Sequence, residues 1–178
     1  MAGFGSGGYA PHLFERPQHK PTLCRAEGLH SPLCKIRLNL ARFVDAQAGD
    51  YSRALRELQS GSKRSHWMWY IFPQFAGLGT SERSRRYAIK SRAEAVAYLA
   101  HPVLGPRLRE CTLALLTHRE RSAREILGEP DHRKLQSSAT LFADVDGEGI
   151  FTSLLERFFN GERDRASLEL MRAAEGPA

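Results

Sequence analysis

The chain has few cysteines and no pairing pattern among them. Cys24, Cys34 and Cys111 are odd in number and far apart, and none falls in a Cys-x-x-Cys pair. This spacing argues against a disulfide framework or a zinc site and points to a reducing, cytoplasmic setting. Long hydrophobic runs are also absent, with nothing near the roughly 20 apolar residues a membrane helix needs. No apolar signal core follows a basic start. There is no internal repeat and no complete catalytic or metal-binding motif, so no metal or cofactor is expected. Gly77-Leu78-Gly79 is too short for a nucleotide glycine loop and follows no strand. One-sided charge is modest: 26 basic against 20 acidic residues give +6 over 178. That balance attracts anionic ligands through its field but lacks the dense basic stripe of a nucleic-acid binder.

Glycine and proline concentrate at the N-terminus. Residues 1–36 begin Gly3-Phe4-Gly5-Ser6-Gly7-Gly8 and continue through Pro11, Pro17, Pro21 and Pro32, with no helical or alternating period. They read as a disordered or irregular tail. Residues 37–174 read as the folded part: an all-α, compact single domain of eight or nine short helices, with no strand pattern. Leu40, Phe43 and Val44 start a helical face that Gly49 is expected to break. Asp50 then caps a second helix ending at Gly61. Ser81 caps a helix from Glu82 to Ile89. Ser91 with Glu94, and Ser122 with Glu125, have capping-box spacing. Pro106 suits a first helical position. Asp131 and Asp164 are placed to cap later helices, and Phe151, Leu154, Leu155 and Phe158 give a strongly amphipathic one.

The stretch around which the domain is organised runs from Lys63 to Ser81. It contains both tryptophans and puts Trp67, Trp69, Tyr70, Phe72 and Phe75 close together. Such a run must be buried, as a short helix that Pro73 terminates. Its polar members are the candidates for a site. His66 is placed as a general acid or base beside an aromatic pocket, against the alternative of a histidine bonded to a neighbouring carbonyl. Lys63, with Arg64, is a candidate anion contact; the alternative is a solvated basic pair. Trp67 and Trp69 are either stacking platforms or core. Gln74, Ser81 and Tyr87 complete this half of the ligand-binding set. The other half is Asp131, Lys134 and Ser138. Lys134 and Ser138 share a helix face, but their order does not match the serine-x-x-lysine nucleophile motif. Arg83, Arg85, Arg86 and Arg92 read as a solvated face. The expected ligand is an anionic small molecule, with neither nucleic acid nor membrane as partner.

The nonapeptide from His66 to Gln74, Gly77-Leu78-Gly79 with Ser81, Leu104-Gly105-Pro106-Arg107-Leu108, and Lys134-Leu135 with Ser137-Ser138 and Thr140-Leu141-Phe142 resemble a family of small bacterial proteins. That family is a domain of unknown function, sometimes labelled calpastatin, with an all-helical mycobacterial member. The resemblance covers roughly residues 39–172. One departure is Ala139, where relatives usually carry methionine after the paired serines. The resemblance implies fold more firmly than function, because calpain inhibitors of that name are disordered and repetitive. A looser likeness to helical domains that process ADP-ribose-type conjugates gives a functional expectation: binding, with possible hydrolysis, of an anionic nucleotide- or ADP-ribose-like molecule. The alternative is a non-enzymatic protein-interaction module.

Overall fold

A computed structural model describes residues 38–176. The expectation for the tail, residues 1–36, lies outside the described residues. Among the described residues there are nine helices and no strand: α1 (Ala41–Gln59), α2 (Met68–Ile71), α3 (Glu82–Arg86), α4 (Arg92–Ala100), α5 (Leu104–Leu116), α6 (Ala123–Leu127), α7 (Asp131–Asp146), α8 (Ile150–Phe159) and α9 (Arg165–Glu175). The domain is all-α, as its apolar periodicity suggests.

Two helices carry most of the others. α5 packs against α1, α2, α4 and α8, and α7 packs against α4, α6, α8 and α9. α4 and α8 therefore touch both. Through the core runs a line of aromatic rings. Phe43 of α1 meets Tyr98 of α4 edge-on at 5.1 Å, Tyr98 meets Phe142 of α7 at 5.4 Å, and Phe142 meets Phe151 of α8 at 5.5 Å. Each such pair adds about 0.5–1.5 kcal/mol beyond the area it buries.

Several helix boundaries differ from expectation. α1 is a single helix that runs through Gly49 and Asp50. Its buried residues Phe43, Gln47, Ala54 and Leu58 form one uninterrupted face across the glycine, and packing of that face outweighs the roughly 1 kcal/mol a mid-helix glycine costs. Asp50 caps nothing; its carboxylate accepts from the Tyr70 hydroxyl and pairs with Arg53. α5 starts at Leu104, so Pro106 is its third residue. Proline is tolerated there because first-turn N–H groups have no intrahelical acceptor. α3 ends at Arg86, short of Ile89. Asp131 is the first residue of α7 with Pro130 in the cap position, and its carboxylate turns to lysines instead. Ser91 accepts from the Glu94 amide, yet the Glu94 carboxylate bonds Lys90 N and Arg42, so only half of a capping box forms. The box at Ser122 and Glu125 is complete, and Ser81 and Asp164 cap α3 and α9.

One feature outside the helices positions the site. Phe75 and Ile89 form an isolated parallel bridge. Ala76 N donates to Ile89 O at 2.8 Å and Ile89 N to Gln74 O at 2.9 Å. Residues 76–88 thus leave and re-enter at one point. They carry α3, which buries no residue of its own, as an excursion on the surface.

Candidate functional site

α2 is a single turn, and its period divides the aromatic stretch. Trp67, Met68, Ile71 and Phe72 point into the core, with Trp67 fully buried. Trp69 lies on the opposite side and is half-buried. The Trp67 indole N–H must find an acceptor inside the protein. It donates to Glu57 at 2.8 Å, near the end of α1. Glu57 also accepts from the amides of Arg64 (2.9 Å) and Ser65 (3.0 Å) and from the Ser65 hydroxyl. Burial alone would raise this carboxyl. The bonds from the Ser65 hydroxyl, the two amides and the Trp67 indole outweigh it and bring the group down to about 2.

Lys63 is drawn into the same corner. Its amide donates to Ile126 O at 2.9 Å, tying the link to α6. Its ammonium donates to Ser65 O at 2.7 Å, pairs with Asp131 at 2.7 Å and lies 5.0 Å from the Trp67 ring centre. Asp131 pairs on its other oxygen with Lys134, also at 2.7 Å. Burial pushes the Asp131 carboxyl up, but the hydrogen bonds and charges of Lys134 and Lys63 more than reverse this and hold it below its ordinary value. One carboxylate between two ammonium groups leaves one positive charge over.

The sequence-derived site residues are thereby sorted into four places. Lys63, Trp67 and Asp131 belong to the internal network just described. Ser138 is buried on α7, and its hydroxyl has no hydrogen-bond partner. Trp69, Gln74, Ser81 and Lys134 come together in a cleft of about 420 Å³, joined by Arg133, Ser137 and Asp164. His66 and Tyr87 lie in a second, larger cleft of about 750 Å³.

The larger cleft is lined by Arg53, Arg64, Arg83 and Arg86 against two carboxylates, Asp50 and Glu82. Asp50 is engaged by Arg53 and by the Tyr70 hydroxyl. Burial first, and then the bond to Asp50, push the Tyr70 hydroxyl well above the ordinary tyrosine range, so it stays a proton donor. Tyr70 meets Tyr87 edge-on at 5.3 Å and forms the aromatic floor. Among the described residues Arg64, Arg83 and Arg86 have no carboxylate partner. Arg83 and Arg86 are three apart on α3, which puts both guanidiniums on one face, whereas Arg85 lines a different, smaller cleft. That spacing is the sequence signal a reading of the arginines as a solvated face passes over. α3 forms the wall between the two larger clefts, and Arg83 serves both. It lines the larger one, and its guanidinium stands 5.4 Å from the ring centre of Trp69 in the other.

Fold and site together define a small all-helical domain with a basic, arginine-rimmed cleft against its aromatic segment. The chain belongs to the family described as Protein of unknown function (DUF1810), whose model matches residues 37–171. It is similar to the solved conserved hypothetical protein Rv1873 from Mycobacterium tuberculosis, with 48% identity and a TM-score of 0.74. That match covers 76% of this chain and 97% of the mycobacterial one. No curated protein matches. A domain of unknown function is what the aromatic nonapeptide suggests, and both comparisons agree with it; neither description carries the calpastatin label. Among the described residues no helix is long and apolar enough to cross a membrane.

Proposed function

We propose that the domain binds a phosphorylated small molecule of nucleotide or ADP-ribose type in the arginine cleft, in the cytoplasm. The observation that carries this reading is the convergence of Arg64, Arg83 and Arg86 on one concavity, none of them in an ion pair among the described residues and together outnumbering Glu82, the one lining carboxylate that Arg53 does not engage. Guanidinium groups bind phosphate oxygens with paired, charge-assisted hydrogen bonds. A concave basic surface also concentrates anions from solution. Tyr70 and Tyr87 supply an aromatic floor for a base or sugar. His66 is the one imidazole on the lining and is the group that would move a proton if the bound molecule is hydrolysed.

The protein-docking alternative needs an exposed apolar patch. Among the described residues the large hydrophobics left exposed are Val96 on α4 and Leu113 on α5. The small-molecule reading therefore stands first.

The test is a thermal-shift and calorimetry panel of pyrophosphate, ADP, ADP-ribose and sugar phosphates. A member present at 100 times its Kd stabilises the fold by about 2.7 kcal/mol. The gain is expected to vanish in Arg64→Ala/Arg86→Ala and to weaken with salt. His66→Ala is expected to keep binding while abolishing any turnover. Binding that survives the double arginine variant, or silence across the panel, sinks the reading.

A further inference from the structure

The Trp69 cleft is not absorbed by the arginine site, and its charges point to a ligand of their own. The Asp131 carboxylate is shared between Lys63 and Lys134 at 2.7 Å each, so the trio keeps one positive charge. Lys63 is 8% exposed and Lys134 22%, so that surplus reaches solvent through Lys134. The Lys134 ammonium stands 4.7 Å from the Trp69 ring centre, inside the cleft. Arg133, also on the lining, has no carboxylate partner among the described residues. The one carboxylate on the lining, Asp164, is already committed. It accepts from Ser137 Oγ and from Ser167 N at 3.0 Å each, and it caps α9. Its charge offsets that of Arg133, and the surplus carried by Lys134 leaves the cleft a second, weaker cationic concavity. It is joined to the first through Arg83, which lines one and stands over the tryptophan of the other.

We infer that the ligand carries two separated phosphoryl groups, one held in the arginine cleft and one in the Trp69 cleft by Lys134 and Arg133, with the molecule passing over Arg83. This inference rests on the arginine-cleft reading and narrows its substrate class to a molecule with a chain of phosphates or two phosphorylated ends. A group with a single phosphate cluster reaches one cleft only. A molecule that fills both gains the second contact intramolecularly, at an effective concentration that raises affinity by about 10²–10⁴.

The experiment is calorimetric titration of the full chain with inorganic pyrophosphate and with linear polyphosphates of increasing length. A diadenosine polyphosphate of matched length forms a second arm. Lys134→Ala is a usable variant because Asp131 keeps its pair with Lys63, and the exposed Arg133→Ala touches no ion pair. The expected result is a jump of at least 100-fold in affinity at the length that spans both clefts. Lys134→Ala/Arg133→Ala should erase the jump and leave pyrophosphate binding unchanged, whereas Arg64→Ala/Arg86→Ala should weaken every probe. Tighter binding of the diadenosine arm assigns the phosphates to a nucleotide; equal binding assigns them to the inorganic chain. A smooth rise with ligand charge, or a jump that persists without Lys134 and Arg133, overturns the two-cleft ligand while the arginine cleft stands. Pyrophosphate binding that ignores Arg64 and Arg86 overturns both.

Discussion

Glu57 gathers four donors on one carboxylate, and one of them is the indole of a fully buried tryptophan. Glu57→Gln keeps the shape and removes the charge. It replaces charge-assisted bonds by neutral ones and turns an amide N–H toward donors, a loss of about 1–3 kcal/mol at neutral pH. The pH dependence has a definite sign. The carboxyl lies near 2 in the folded protein against 4.5 when free, so the folded state favours the charged form. The stabilisation is complete above pH 4.5 and is lost as pH falls toward about 2. Urea titrations across that window should show the wild type losing its advantage over Glu57→Gln, with the two curves converging at the acid end. Curves that stay parallel would show that the Glu57 charge does not stabilise the fold. Asp131 titrates in both proteins and cancels in the difference. Glu57 was hard to see in the sequence because its partners lie seven to ten residues ahead. The caps at Ser81, Ser122 and Asp164 were easy, since cap and amide are three residues apart. The available signal for Glu57 was an indole N–H inside an apolar run, which requires a buried acceptor.

At the scale of elements, two glycines test the architecture in opposite directions. Gly105 opens α5 against the end of α4, where a Cβ would stand 2.0 Å from the Leu99 carbonyl oxygen. That contact is with backbone, which cannot swing aside, so Gly105→Ala should cost about 3 kcal/mol or more and loosen the α4–α5 corner. Gly49 is the converse. A Cβ there meets nothing within 4 Å, and the residue lies inside α1. Gly49→Ala should stabilise by about 0.5–1 kcal/mol, by restricting the unfolded chain and favouring helix. Both are read from chemical denaturation midpoints. Loss of stability on Gly49→Ala would mean that α1 breaks at this glycine, which is how the local sequence reads. The misreading has a physical cause. Glycine followed by a capping aspartate is a local signal, whereas continuity of α1 comes from Phe43, Gln47, Ala54 and Leu58 packing as one face. Asp50 and Asp131 misled in the same way: each has cap chemistry, and each is claimed by a side chain from elsewhere, Tyr70 and Lys63.

At the scale of the molecule, fold class was legible because helical periodicity recurs along the whole domain, while the clefts were not, because each needs segments far apart in the chain. Trp69 and Lys134, 65 positions apart, share a cleft only once the domain has folded. His66 and Arg86 meet only because the Phe75–Ile89 bridge folds residues 76–88 back. The same separation bears on residues 1–36. The family match spans residues 37–171, and the mycobacterial relative is matched over 97% of its length by 76% of this chain. A relative that is nearly all domain is folded, so the energy that holds this domain should reside within it. A protein of residues 37–178 is then expected to melt within about 3 °C of the full chain, the shift that roughly 1 kcal/mol produces at this size. Its pyrophosphate affinity should also be unchanged, since every residue of both clefts is retained. A melting point lower by much more than that would show that residues 1–36 contribute to the domain. An unchanged melting point with weakened pyrophosphate binding would instead give them a part in holding the ligand, where their four basic residues against two acidic ones would add attraction.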